Sequence, residues 1–250
     1  MKGVKMLSAG EQGLVVEFGS VINAEVNTRV HQITQLIKTK LAGEIIEVVP
    51  TYRSLLIYFD PLLIKRSDLI QHIESLLSEV SGFVEKKSQG MIVSIPVCYG
   101  GEYGPDLEFV ASYNGLTVEE VIHIHTATPY LVYMIGFTPG FPYLGGMSDR
   151  IATPRLKQPR TAIPAGSVGI AGSQTGLYPI QSPGGWRLIG RTPIRAFNPE
   201  SPKPFLFEAG NYLQFVSISA EEYVIIQRKV ELGTYIPMAE SVDGGVKSCD

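Results

Sequence analysis

The arginines of one stretch are the residues whose type and spacing first suggest chemistry. Arg155 and Arg160 each follow a proline, in Pro154-Arg155 and Pro159-Arg160, and Arg191 and Arg195 lie further on. Proline narrows backbone freedom, so an arginine beside it is held where it stands. Fixed guanidinium groups suit a two-point grip on a carboxylate or a phosphate. Exposed loop arginines are the plain alternative. From Gly136 to Arg195 there are seven Lys or Arg against one acid, Asp149, in a chain of net charge -3. That imbalance leaves an anionic ligand, or a negatively charged partner, as open as the plain alternative. Ser167, Gln174, Thr175 and Thr192 add neutral hydrogen-bonding groups. Gly169, Gly172 and Gly176 have a spacing that could form backbone nests for an anion or, more simply, turns. Trp186 is the only tryptophan and follows Pro183-Gly184-Gly185, which favours a site or interface platform over a plain core position.

Other chemistries fit less well. His123 and His125 would share a face on a strand, but Thr117 and Glu120 form a capping box that puts them on a helix, about 200° apart. Zinc needs three or four converging ligands, and only Glu119 and Glu120 lie close, so no metal is expected. His125 is nearer the strand that enters the basic stretch and is the histidine expected to line a site. Ser167 lacks the first glycine of a nucleophile elbow, because Ala165 stands there. No phosphate-binding loop of the G-x-x-x-x-G-K-[ST] type occurs.

Elements must position these groups. LVVEF (14–18) reads as a strand. Ile22, Val26, Val30, Ile33 and Ile37 share a helix face, and IIEVV (45–49) and SLLIYF (54–59) are strands joined by a turn. Ser67 is a candidate N-cap for a helix with Ile70, Ile73, Leu77 and Val80 on one face. With Phe83–Lys87 as a last strand, residues 1–88 make a ferredoxin-like split β-α-β sandwich. The pattern then changes. MIVSIPV (91–97) is a strand, Asp106–Ala111 one or two helical turns, Val118–Thr126 a helix and PYLVYMIGF (129–137) a buried strand. Further strands are expected at Phe205–Phe207, Tyr212–Ser217 and Tyr223–Gln227. Many short strands and tight turns suggest a closed or nearly closed β-barrel over residues 89–237 with a helix at its mouth. Residues 238–250 are expected to be a flexible tail.

Bulk composition narrows the class. The 250 residues are 44% hydrophobic and 18% charged, as in ordinary globular proteins. There is no apolar run of membrane-spanning length and no secretory signal, so a cytoplasmic protein is expected. Cys98 and Cys249 suggest neither a disulfide framework nor a metal site. The balanced charge gives no reason to expect nucleic acid.

The wording of the basic stretch goes further. GFTPGFPYLGG, PRLKQPR, IPAGSVGIAGSQTGLYP and SPGGWRLIGRTP closely resemble the B-subunit family of bacterial ATP-dependent 5-oxoprolinases. That family is also described as allophanate hydrolase subunit 1 and includes an inhibitor of a sporulation histidine kinase. The resemblance spans nearly the whole chain. It implies a cyclophilin-like β-barrel and work in a complex with two other 5-oxoprolinase chains, the homologous barrel of the C subunit and a separate A subunit. The implied reaction opens 5-oxo-L-proline to L-glutamate with ATP as co-substrate, in a site shared between the chains. On this resemblance Arg155, Arg160 and Arg191 are the candidates for handling phosphate and carboxylate charge. Ser167, Gln174 and Thr175 would orient substrate or an oxyanion, and Gly176, Trp186 and Thr192 would help bind it. The alternative role is inhibition of histidine kinase autophosphorylation. Prolyl isomerisation would rest on barrel type alone.

Overall fold

Apolar residues on alternate strand positions and on single helix faces set the first unit. The computed structural model of the chain describes residues 3–81, 90–242 and 246–248. It divides into two compact units, Met1–Ser88 and Gln89–Asp250. The first contains β1 (Lys5–Ala9), β2 (Gly13–Glu17), α1 (Ala24–Lys40), β3 (Ile45–Pro50), β4 (Ser54–Phe59) and α2 (Arg66–Ser81). Leu14 and Val16 of β2 and Leu55, Ile57 and Phe59 of β4 are buried, every second residue as one covered sheet face requires. Val30, Ile33 and Ile37 of α1 and Leu69, Ile73 and Leu77 of α2 complete this core. The Asn23 side chain caps α1 by accepting from Val26 N at 2.8 Å. Ile22 lies before that cap and is exposed.

The sheet order is β1-β2-β4-β3, antiparallel throughout. β4 lies between β2 and β3 and pairs with both. The edge beside β2 is taken by β1, a strand absent from the sequence-based expectation. Phe83–Lys87, expected to close the sheet, lies outside the described residues. Ser67 does not cap α2, which starts at Arg66; its hydroxyl donates instead to the Asp68 carboxylate at 2.8 Å.

The second unit starts with β5 (Met91–Tyr99), α3 (Leu107–Asn114), α4 (Val118–Thr126), β6 (Tyr130–Ile135) and β7 (Pro142–Gly145). Five short strands follow: β8 (Arg160–Ile163), β9 (Ser167–Ala171), β10 (Gln174–Leu177), β11 (Ser182–Gly184) and β12 (Arg187–Arg191). The chain continues with β13 (Tyr212–Ile218), α5 (Ala220–Glu231), β14 (Met238–Ser241) and β15 (Val246–Ser248). Seven strands run in the order β10-β9-β12-β5-β13-β6-β7. The end strands β10 and β7 lie beside each other, so the sheet is nearly closed around Val93, Ile95, Val97, Val132, Val168, Ile170, Ile189, Leu213 and Phe215. β8 and β11 form a separate two-stranded sheet. The α4 capping box is present in both halves.

Three expectations for this unit are corrected. Tyr223–Gln227 is not a strand but the middle of α5, because Ser219 and Glu222 form a second capping box just before its apolar run. Phe205–Phe207 forms no strand, only an isolated bridge from Phe205 to Phe197. The segment from Met238 is not simply a tail: β14 pairs with β5 and with β15.

Candidate functional site

Turn residues and aromatics alternate along the basic stretch, and folding gathers the aromatics. Phe141 is edge-on to Tyr143, Tyr178 and Trp186, with ring centroids 5.3, 5.6 and 5.8 Å away, the geometry that ring quadrupoles favour. Phe137 stands edge-on to Phe141 at 5.5 Å. It is the one non-glycine described with positive φ, 65°, a strained conformation that clusters at functional sites. These rings, with Arg155, Gln174 and the Pro183-Gly184-Gly185 turn, line a cleft of about 220 Å³. It lies beside the seam where β7 and β10 meet. Gly176 makes the close packing possible, since a Cβ there would lie 3.0 Å from the Trp186 ring and 3.3 Å from Phe141.

Arg155 is placed by backbone bonds on both sides. Thr153 and Gly172 exchange two hydrogen bonds, at 3.1 and 2.8 Å, and Leu156 N donates to Gly185 O at 2.7 Å. The arginine between them is exposed, and its guanidinium lies 5.9 Å from the Trp186 ring centroid, within cation–π range. Burial pushes the Tyr178 phenol up to about 12, against the opposing pull of the Arg155 and Arg160 charges. At neutral pH that phenol is therefore a hydrogen-bond donor and not a base.

Arg160 is not free to grip a ligand. Its guanidinium lies against the Asp106 carboxylate at 3.0 and 3.1 Å and donates to Trp186 O at 3.3 Å. Asp106 also accepts from Leu188 N at 2.7 Å. Arg160 thus acts as a brace between the start of α3 and the Trp186 wall. Arg191 points elsewhere, with its guanidinium 6.0 Å from the Tyr103 ring centroid. Ser167 is fully buried, and its hydroxyl has no hydrogen-bond partner among the described residues. Thr192 is buried too, and its hydroxyl accepts from Ile194 N at 3.2 Å within a turn.

His125 does not line the cleft. It is fully buried, stacked on Phe215 with centroids 4.6 Å apart. Nδ1 lies 2.7 Å from the Tyr99 hydroxyl and Nε2 lies 2.7 Å from Thr175 Oγ1. Burial lowers its pKa to about 3, so the ring is neutral. Thr175, also buried, donates to Gly169 O at 3.2 Å. Both residues belong to the barrel interior and lie outside the cleft lining.

Of the expected site residues, the fold therefore brings Arg155, Gln174 and Trp186 into one cleft, with Gly176 packed behind the tryptophan. It places Arg160, Arg191, Ser167, Thr192, Thr175 and His125 outside the lining. Phe137, Phe141, Tyr143 and Tyr178 also line the cleft and are not among the residues expected from the sequence. The available signal was their interleaving with Gly and Pro in GFTPGFPY and GLYP, which suits a wall better than a core.

The lining suits a small ligand with a flat face and one negative charge. Among the described residues it holds no carboxylate, histidine or cysteine, so it can bind and orient but supplies no strong base or nucleophile. No group of three or more His, Cys, Asp or Glu among the described residues could hold a metal ion. No described helix is long and apolar enough to cross a membrane.

Known proteins resemble the chain over most of its length. Residues 4–207 match the family described as carboxyltransferase domain, subdomain C and D. The 5-oxoprolinase B subunit of Bacillus subtilis is 48% identical over 223 residues, 86% of this chain and 92% of that protein. The 5-oxoprolinase B subunit of Escherichia coli O157:H7 is 35% identical over 86% of this chain and 97% of that protein. The crystal structure of the K. lactis urea amidolyase superposes on 98% of this chain and 16% of that one, with a TM-score of 0.77 and 21% identity. That likeness is one of fold.

Proposed function

The chain belongs to the 5-oxoprolinase B-subunit family, with the carboxyltransferase subdomains C and D, and on that premise we propose that it serves an ATP-dependent complex opening 5-oxo-L-proline to L-glutamate. The observation that carries this reading is Arg155 held over Trp186 at an aromatic cleft. 5-Oxo-L-proline is a small, flat lactam with one carboxylate. Its ring suits the Trp186 and Phe141 faces, its carboxylate suits Arg155, and its amide edge matches the Gln174 side chain.

A lactam amide is inert toward water. Transfer of the ATP γ-phosphoryl group to the lactam oxygen would make the ring carbon open to attack. Water then adds, the C–N bond breaks and phosphate leaves, giving glutamate with ADP. The cleft contributes orientation and charge. Among the described residues the lining holds no base, so in this proposal the general base and the phosphate-handling groups are assigned to the partner chains, the homologous barrel of the C subunit and the separate A subunit. The finer fold reading, a ferredoxin-like first unit and a cyclophilin-like barrel, goes with this assignment.

The test is reconstitution. The three chains together are expected to form glutamate and consume ATP in step, and this chain alone is expected to do neither. Full turnover by the isolated chain would remove the shared site, and no turnover by the complete mixture would remove the reaction.

A further inference from the structure

We propose that His125 is a positioning residue of the cleft, acting through Thr175 to hold Gln174 in its wall, an inference that rests on the cleft being the substrate site. His125 lies near the end of α4, and its partners Tyr99 and Thr175 come from β5 and β10. The three hydrogen bonds admit one proton arrangement. Thr175 has a single hydroxyl proton, which goes to Gly169 O. Its oxygen must then accept from Nε2–H, and Nδ1 must accept from the Tyr99 O–H. The imidazole is a neutral Nε2–H tautomer with both nitrogens committed. Tyr130 adds a third tie by donating to His125 O at 2.8 Å.

The consequence lies in the hairpin. Thr175 sits on β10 opposite Ile170 of β9, and its hydroxyl bonds the carbonyl of Gly169 on that same neighbour. Strand alternation sends Thr175 inward, and Gln174 and Gly176 outward to the cleft and to Trp186. A turn of Thr175 therefore turns Gln174. The tip of the same hairpin, Gly172, bonds Thr153 just ahead of Arg155. One buried imidazole thus fixes the strand that presents the amide and steadies the loop that presents the cation. Valine has the shape of threonine, so packing alone does not need the hydroxyl.

The test compares Thr175→Val with Thr175→Ser. In the free chain, the Gln174 side-chain amide is followed by 15N NMR. In the three-chain enzyme, KM and kcat for 5-oxo-L-proline are measured. The valine variant is expected to shift the Gln174 signals and raise KM about 5–10-fold with kcat nearly unchanged, the scale of one lost hydrogen bond. The serine variant, which keeps the hydroxyl, is expected to match wild type in both. Wild-type Gln174 signals in the valine variant would overturn the inference, as would a serine variant as impaired as the valine one. If the valine variant fails to fold, Tyr99→Phe, which removes the proton that Nδ1 accepts, is measured in its place, and wild-type Gln174 signals there would overturn the inference. Absence of wild-type turnover would count against the substrate reading, and the Gln174 signals would then judge the positioning by themselves.

Discussion

Arg160 and Asp106, 54 residues apart in sequence, meet as a two-point ion pair at 3.0 and 3.1 Å beside the Trp186 carbonyl. The pair makes one of the two proline-flanked arginines of the basic stretch a brace. Its carboxylate partner is 10% exposed, so losing the arginine leaves a nearly buried charge with only Leu188 N at 2.7 Å and the more distant Arg187 guanidinium at 3.9 Å against it.

Arg160→Ala is therefore expected to cost about 2 kcal/mol of stability in urea unfolding. Asp106→Ala should cost a similar amount, and the double variant less than the sum. Strictly additive losses would mean that the two groups do not support each other. Effects on substrate affinity should follow from the moved Trp186 wall, not from lost charge.

Acid should weaken the fold through His125. The unfolded histidine takes up its proton near pH 6.5, while the buried one resists until about pH 3. Between those values the unfolded state binds more protons, so stability falls as pH falls, by at most about 1.4 kcal/mol per pH unit. His125→Asn should lack this contribution. Its unfolding free energy, lower than wild type at pH 7.5, should approach wild type by pH 4.5. Parallel profiles for the two proteins would contradict a neutral buried imidazole.

Gly176→Ala tests the packing behind the cleft. The added methyl would press on the Trp186 ring from 3.0 Å, and overpacking of this kind costs about 1–3 kcal/mol. Trp186 is the only tryptophan, so its emission reports the displacement directly. An unchanged spectrum and unchanged stability would show that the wall has room to spare.

Local signals were legible in the sequence and long-range ones were not. Thr117 and Glu120 announce α4 from three residues' spacing, and the same logic at Ser219 and Glu222 announces α5. The apolar YVII run after Ser219 imitates a strand, although α5 buries only Tyr223 among its residues. β1 has mostly exposed side chains, so it carries no burial pattern to read. At the site, the basic stretch and Trp186 could be singled out from composition and motif. The partners of Arg160 and His125 could not, because Asp106, Tyr99 and Thr175 come from distant segments that only the tertiary fold brings close. Burial decides the roles of Ser167, Thr175 and His125, and burial is a property of the closed barrel.

The most direct test of the account is the KM for 5-oxo-L-proline of the three-chain enzyme carrying Arg155→Ala. Arg155 is exposed and anchored by its neighbours' backbones, so the variant should fold with an unchanged melting temperature. Loss of a charged hydrogen-bonding contact to the substrate carboxylate should raise KM at least about tenfold. A folded variant with wild-type KM would contradict the claim that this cleft holds the substrate.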